Sequence, residues 1–248
     1  MSFDIVIPLG PNEYNRFSEV IKSIKNNVVD YRKIFIVTSN LDLKIDNCVI
    51  IDENIFPYKE YLISHLEKGA FLSRFGWYFQ QLIKLNIGFY IEDILDNYLV
   101  IDADVFFLKP LHFMKNNLPI FTISRQHHKP YFTHMQLLHE DLKKYHDYSG
   151  ISHHMLFNKK YLLELLNMIE QKHGKSFWKV FIDCIDNSNP SNTSGASEFE
   201  IYFNYMVKKY PNQILIRILN WEHISHSGFD SNSYNKNLDY ISVVHYYK

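Results

Sequence analysis

The stretch YLVIDADVFFLKP, residues 98 to 110, breaks an apolar run at Asp102-Ala103-Asp104 and then resumes it. Two carboxylates one residue apart at the end of a buried strand are costly unless something positive sits on them. A divalent cation holding a diphosphate meets that need, because the hard oxygen ligands suit Mg²⁺ or Mn²⁺, which bridge carboxylates to substrate phosphates. Strand alternation would put both acids on one face, with small Ala103 leaving the backbone accessible. The competing account is a pair of strand-end acids that cap a turn or meet Lys and Arg.

Residues 71 to 85, FLSRFGWYFQQLIKL, carry a second signal. Placed on a helix, Phe71, Phe75, Tyr78, Phe79, Leu82 and Leu85 share the core stripe. Arg74, Trp77, Gln81 and Lys84 form a neighbouring stripe that combines charge for phosphates with a flat indole. The plain alternative is an amphipathic helix whose polar side faces solvent.

Several acids and histidines could join these. In SGASEFEIYFNYM (194 to 206), Ser197 and Glu200 fit a capping box, which is a sufficient structural reason for Glu200. Glu198 would occupy the first helical turn, where the dipole favours its anion and where a carboxylate can meet a sugar hydroxyl. Its alternative is a plain dipole-favouring acid. His245, in the closing SVVHYY, is a candidate third metal ligand or a satisfied edge histidine. Of the neighbours His153 and His154, at most one can point into a cleft. His127 and His128 read as solvated loop residues. No Gly-x-Gly-x-x-Gly, Walker loop, Gly-x-Ser-x-Gly or His-Glu-x-x-His occurs, so with only eight glycines any phosphate must be held by metal and side chains.

Alternating strand-like and helix-like runs must position these groups, which argues an α/β architecture with a largely parallel sheet. Strands are expected at 3–9, 33–39, 48–53, in the run that carries Asp102 and Asp104, and at 118–124, 151–158, 214–220 and 240–247. Helices are expected at 16–26, about 58–88 (in one or two pieces), 161–171, 176–185 and 198–209. Segments 126–149 and 186–197 read as polar loops, candidates for acceptor binding or a lid. Ligands in open sheets collect at the carboxyl ends of strands, where the Asp pair falls.

The 248 residues, 46% apolar, suffice for one large domain or two small ones. Lys plus Arg (26) balances Asp plus Glu (27) without a run of like charge, which argues against a nucleic-acid partner. The N-terminus reads as a first strand and no membrane span is expected. Cys48 and Cys184 lie far apart and read as buried thiols of a reducing compartment.

Taken in order, IVIPLG, RFGWYFQQLIKL, VIDADVFFLKP, SHHMLFNKKYLLELL, SEFEIYFNYM and VVHYY resemble a family of compact nucleotide-sugar glycosyltransferases with the GT-A fold. The family occurs in bacteria and large DNA viruses and includes a chlorella-virus enzyme domain implicated in capsid glycosylation. The resemblance implies one Rossmann-like domain over 1–248 with a mixed, mostly parallel sheet flanked by helices. About 1–110 would be the nucleotide-binding half and about 111–248 the donor-sugar and acceptor half. It further implies Mn²⁺- (or Mg²⁺-) dependent transfer of a hexosyl or deoxyhexosyl group from a nucleotide sugar, UDP-linked by analogy, to a glycan or glycoprotein acceptor. The setting would be the cytoplasm, or a host's cytoplasm for a viral protein.

Residue by residue, the resemblance makes Asp104 the direct metal ligand, Asp102 shared between metal and ribose, and His245 the late metal histidine. Pro8, Leu9 and Gly10 match the loop that approaches the nucleoside, with Thr38 nearby. Arg74, Trp77, Gln81 and Lys84 match the helix facing the donor, alongside Ala103. Glu198 falls against the donor sugar and His154 towards the acceptor. His245 leans towards retention of configuration, since inversion needs a general base that the sequence does not assign. The other readings are a nucleotidyltransferase or phosphohydrolase, which would need a second carboxylate cluster, and a non-catalytic nucleotide-sugar-binding module.

Overall fold

The computed structural model describes residues 2–69, 71–186, 194–225 and 237–244. In chain order the elements are β1 (Phe3–Pro8), α1 (Phe17–Asn27), β2 (Tyr31–Thr38), β3 (Cys48–Asp52), α2 (Lys59–Glu67), α3 (Phe75–Asn86) and β4 (Asn97–Ile101). Then come β5 (Val105–Phe107), β6 (Met114–Lys115), β7 (Leu118–Ile123), α4 (Lys129–Leu138), β8 (His154–Asn158), α5 (Lys159–His173) and α6 (Phe177–Asp183). The last are α7 (Glu198–Lys209), β9 (Leu215–Ile218), β10 (Trp221–Ser225) and β11 (Tyr240–Val244).

The main sheet runs β3-β2-β1-β4-β8. All its pairs are parallel except β4 with β8. The order turns outward from β1, so the carboxyl ends of β1 and β4 meet at one rim, the usual ligand position in such sheets. Two three-stranded sheets, β10-β11-β5 and β6-β7-β9, complete the fold.

Strand β1 is buried throughout, which explains its unbroken apolar run, as expected of a strand covered on both faces. Its alternate side chains enter two cores. Val6, with Val100 and Phe157, packs against residues of α2 through α7, while Ile5 and Ile7, with Leu99 and Leu156, pack against α1, β5 and β11. Helix ends follow local chemistry: Asn158 caps α5 by accepting from the amides of Lys160 and Tyr161, and Gly174 ends it at φ 64°.

Four sequence expectations need correction. The 58–88 segment forms two helices, one of the two expected arrangements, but Arg74, expected on the helical stripe, closes the 3₁₀ turn at Leu72–Arg74 and is the N-cap residue of α3. The polar segment 126–149 contains α4, whose apolar residues Phe132, Met135 and Leu138 recur every third position and are all buried. Strand β8 begins only at His154, and β10 occupies a stretch with no strand expectation. Cys48 and Cys184 are both free but only half-buried. Among the described residues, no helix is long and apolar enough to cross a membrane.

Candidate functional site

Asp102 and Asp104 do not continue β4. The chain leaves the strand after Ile101 and turns, with the Val105 amide donating to the Asp102 carbonyl at 3.2 Å, before β5 enters another sheet. The turn, rather than strand alternation, brings the two carboxylates together. Asp104 is anchored by β11: its Oδ2 accepts from Ser242 Oγ at 3.0 Å and its carbonyl accepts from the Val243 amide at 2.9 Å. Its other oxygen, Oδ1, is buried with no hydrogen-bond partner.

Lys84, in the last turn of α3, reaches this turn from below. Its ammonium donates to Asp102 Oδ1 at 2.5 Å and to Glu198 Oε1 at 2.6 Å, and lies 4.7 Å from the centre of the Phe199 ring. Lys84 and Glu198 are buried, 3% and 4% exposed, so this is an interior ion pair and the α3 stripe is not a solvated face. Glu198 is the first residue of α7, presented by Ser197, whose hydroxyl accepts from the Glu200 amide at 3.3 Å. The reciprocal half of the expected capping box is absent among these contacts. Glu200 instead accepts from Ser149 Oγ and, at 2.8 Å, from Asn204 Nδ2, which pins the segment before β8 to α7.

Carboxylates outnumber the ammonium in this cluster: Asp102 and Glu198 share Lys84, and Asp104 adds a third carboxylate beside Asp102. Burial opposes ionisation of Asp102, but Lys84 and His153 overcome it and hold its carboxyl down to about 2. Asp104 is pushed up to about 6, chiefly by burial, with Asp102 adding repulsion and His153 pulling the other way. Burial also pushes Glu198 up against the pull of Lys84. Burial opposes the Lys84 charge as well, yet Asp102 and Glu198 outweigh it and raise its pKa.

The two neighbouring histidines part company. His153 precedes β8 in a left-handed backbone conformation (φ 60°), its carbonyl accepting from the Asp102 amide at 2.9 Å and its Nδ1 lying 3.3 Å from Asp102 Oδ2. His154, expected on the acceptor side, turns into the core, because the strand's pleat sends its side chain the opposite way. It is 1% exposed, with Nε2 on Thr122 Oγ1 at 2.9 Å and Phe107, Phe113 and Tyr240 around the ring. His245 lies outside the described residues.

The other expected donor contacts gather on nearby elements. Pro8 ends β1, with Leu9 buried and Gly10 exposed beyond it, and Thr38 ends β2 with its hydroxyl 3.0 Å from Tyr14 Oη. Ala103 is buried between the acids. Gln81 is 2% exposed and neither its amide nitrogen nor its oxygen finds a partner. The Arg74 guanidinium lies 4.9 Å over the Trp77 ring and donates to Ser194 Oγ at 2.8 Å. Tyr131 stacks beside Trp77 at 6.2 Å, and His128 Nε2 lies 2.8 Å from the Ser194 carbonyl. His128 is therefore not a solvated loop residue. His153, Ser242, Tyr131 and His128 were not singled out in sequence; the three-residue spacing of Phe132, Met135 and Leu138 was the signal that would have placed Tyr131 on a helix.

One potential ligand atom from each of Asp102, Asp104 and His153 lies within 4.8 Å of the other two. This donor set fits a divalent cation: the cluster has surplus negative charge, and a buried carboxylate oxygen lacks any partner. Fold and site together define an α/β protein whose mostly parallel sheet carries, at its rim, an acidic cluster threaded by one buried lysine. The chain belongs to the family described as "Family of unknown function (DUF6492)", whose model matches residues 3–229. A search of curated proteins finds no match. Among solved structures the chain is similar to mouse xyloside xylosyltransferase 1 in its apo form, at 9% identity and a TM-score of 0.47, over 98% of this chain and 97% of that one. It is also similar to an active-site mutant of LgtC, at 12% identity and a TM-score of 0.47, over 97% and 86% of the two chains.

Proposed function

We propose that this chain is a metal-dependent glycosyltransferase with a GT-A fold that moves a sugar from a nucleotide diphosphosugar, UDP-linked, to a glycan or protein-linked acceptor. The observation that carries the reading is the buried Lys84 ammonium between Asp102 and Glu198, beside an unpaired Asp104 oxygen, at the carboxyl ends of β1 and β4. Such a cluster is matched to a ligand that brings both a cation and phosphate oxygens.

In this reading Asp102 and Asp104 hold Mn²⁺ or Mg²⁺, and the rim residues Pro8, Leu9, Gly10 and Thr38 receive the nucleoside. A bound divalent ion supplies positive charge next to the diphosphate leaving group. Lys84 donates two of its three N–H bonds to carboxylates, which leaves the third for a phosphate oxygen as negative charge builds there. Glu198, fixed at Oε1 by Lys84, keeps Oε2 for a sugar hydroxyl and orients the oxocarbenium-like sugar. Trp77 and Gln81 on α3, with Arg74 at its N-cap, would face the donor.

Thermal stability is the direct test. UDP together with Mn²⁺ should raise the melting temperature well beyond either alone, since each completes the other's ligand shell. Equal stabilisation by UDP in the presence of a chelator would remove the metal from the reading. A panel of nucleotide sugars incubated with Mn²⁺ should release nucleoside diphosphate; release of sugar 1-phosphate, by cleavage between the two phosphates, would instead make the protein a nucleotidyltransferase or phosphohydrolase.

A further inference from the structure

We propose that His153 is the nitrogen ligand of this cation site and that it biases the site towards a borderline transition ion, Mn²⁺ or Co²⁺, over Mg²⁺. The inference rests on the reading that Asp102 and Asp104 hold a divalent cation, and adds to it the identity of a third ligand and a metal preference.

Hydrogen-bond bookkeeping leads to the imidazole. Asp102 has partners on both oxygens, Lys84 on Oδ1 and His153 on Oδ2, and Asp104 has Ser242 on Oδ2. Within this cluster two atoms are buried without a hydrogen-bond partner, Asp104 Oδ1 and His153 Nε2. Asp102 Oδ2 and His153 Nδ1, 3.3 Å apart, stand at the spacing of two ligands on one cation, and one ligand atom from each of Asp102, Asp104 and His153 lies within 4.8 Å of the other two, which makes Nδ1 the ligating nitrogen. A cation there would take up the partnerless Asp104 oxygen together with Asp102 and the imidazole.

The backbone supports the same conclusion. A left-handed φ is uncommon for a residue with a β-carbon, and such strain persists where the surroundings enforce it, often at functional sites. Here the Asp102 amide holds the His153 carbonyl, and the ring is boxed edge-on by Trp221 at 4.9 Å and His223 at 5.1 Å. Trp221 is itself stacked on buried Tyr240 at 5.5 Å. The imidazole is thus fixed beside the acids by its main chain and by an aromatic wall. Mg²⁺ favours an all-oxygen octahedron and gives up its waters reluctantly, whereas imidazole nitrogen suits the later first-row ions. A mixed oxygen and nitrogen site therefore separates the two classes.

The test uses the full chain, stripped by chelator and titrated with Mn²⁺ under electron paramagnetic resonance, with pulsed detection of ¹⁴N coupling. The wild type should bind one Mn²⁺ with nitrogen coupling and resist displacement by roughly a hundredfold excess of Mg²⁺. His153→Asn is the informative variant, because Asn tolerates a left-handed φ and its amide can still donate to Asp102. It should lose nitrogen coupling and about tenfold or more of the preference for Mn²⁺ over Mg²⁺. Coupling that persists unchanged in His153→Asn and disappears in His245→Ala overturns the assignment. Binding that is abolished by Asp104→Asn but shows no nitrogen coupling in the wild type also overturns it, while leaving the carboxylate site standing. A wild type that binds no Mn²⁺ at all defeats both.

Discussion

Replacing Lys84 by Met isolates the contribution of the buried ammonium. Methionine keeps most of the apolar stem against Phe199 and removes the charge that two carboxylates share. Breaking one side of a buried ion pair costs about 3–5 kcal/mol, because a charge is left without compensation. The Asp102 side chain is 21% exposed and recovers part of its solvation, whereas that of Glu198 is 5% exposed and does not, so the lower end, about 3 kcal/mol near neutral pH, is expected. The loss should depend on pH in a defined sense. Burial already holds the Glu198 pKa above its usual 4.5, and without Lys84 it rises further. The folded variant then binds a proton that the unfolded chain gives up, so its stability relative to wild type falls as pH rises through the folded pKa and recovers as pH drops. Urea unfolding at about pH 8 and about pH 5.5 should show the gap to wild type shrinking at the lower pH. Adding Glu198→Gln to the variant should restore about 2 kcal/mol at the higher pH. A gap below about 1 kcal/mol, or one that does not change with pH, would refute the buried-pair reasoning.

Three further outcomes follow from the geometry. Asp104→Asn removes the like charge that sits beside Asp102, so it should raise the melting temperature by a few degrees without metal and abolish any stabilisation by Mn²⁺, read by thermal shift. His134 is buried with its Nε2–H donating to the Phe181 carbonyl at 2.9 Å, and burial lowers its pKa from 6.5 to about 4. Its stabilising effect is complete above the unfolded value and is lost as pH falls between 6.5 and about 4, by up to about 3 kcal/mol, and His134→Gln should flatten that slope. Gly150→Ala would place a β-carbon 2.6 Å from Phe203 Cβ, so it should cost about 1–3 kcal/mol in denaturant unfolding by pushing the segment before His153 away from α7.

Much of the scaffold could be read from period and punctuation. The buried runs of β1, β2 and β4 and the capped start of α7 carry strong local signals, and they appear where the sequence places them. Short β10 carried no such signal, since its pairing with β11 is set by tertiary contact across a long sequence interval. Helix α4 was hidden by polar and histidine residues, although its buried positions recur every three residues. At the site, spacing singled out Asp102, Asp104 and Lys84, but the turn after β4 and not strand alternation joins the two acids, and Arg74 stands before α3 rather than on its stripe. The role of His153 was out of reach of periodicity, because it depends on a left-handed residue outside any strand and on a partner 51 residues away.

The reversed strand β8 has a consequence for how the rim can change over time. In a sheet that is parallel throughout, the rim at the carboxyl ends is supplied only by residues that follow strands. Because β8 runs against β4, with Ile101 opposite His154, a residue that precedes a strand stands beside one that follows its neighbour. The separation of Asp102 and His153 is then set by strand pairing and not by the length of chain between them. Length changes in the exposed connections between β5 and β8 can then alter what lies near the rim while the two side chains keep their register, so the chemistry and its selectivity can diversify independently.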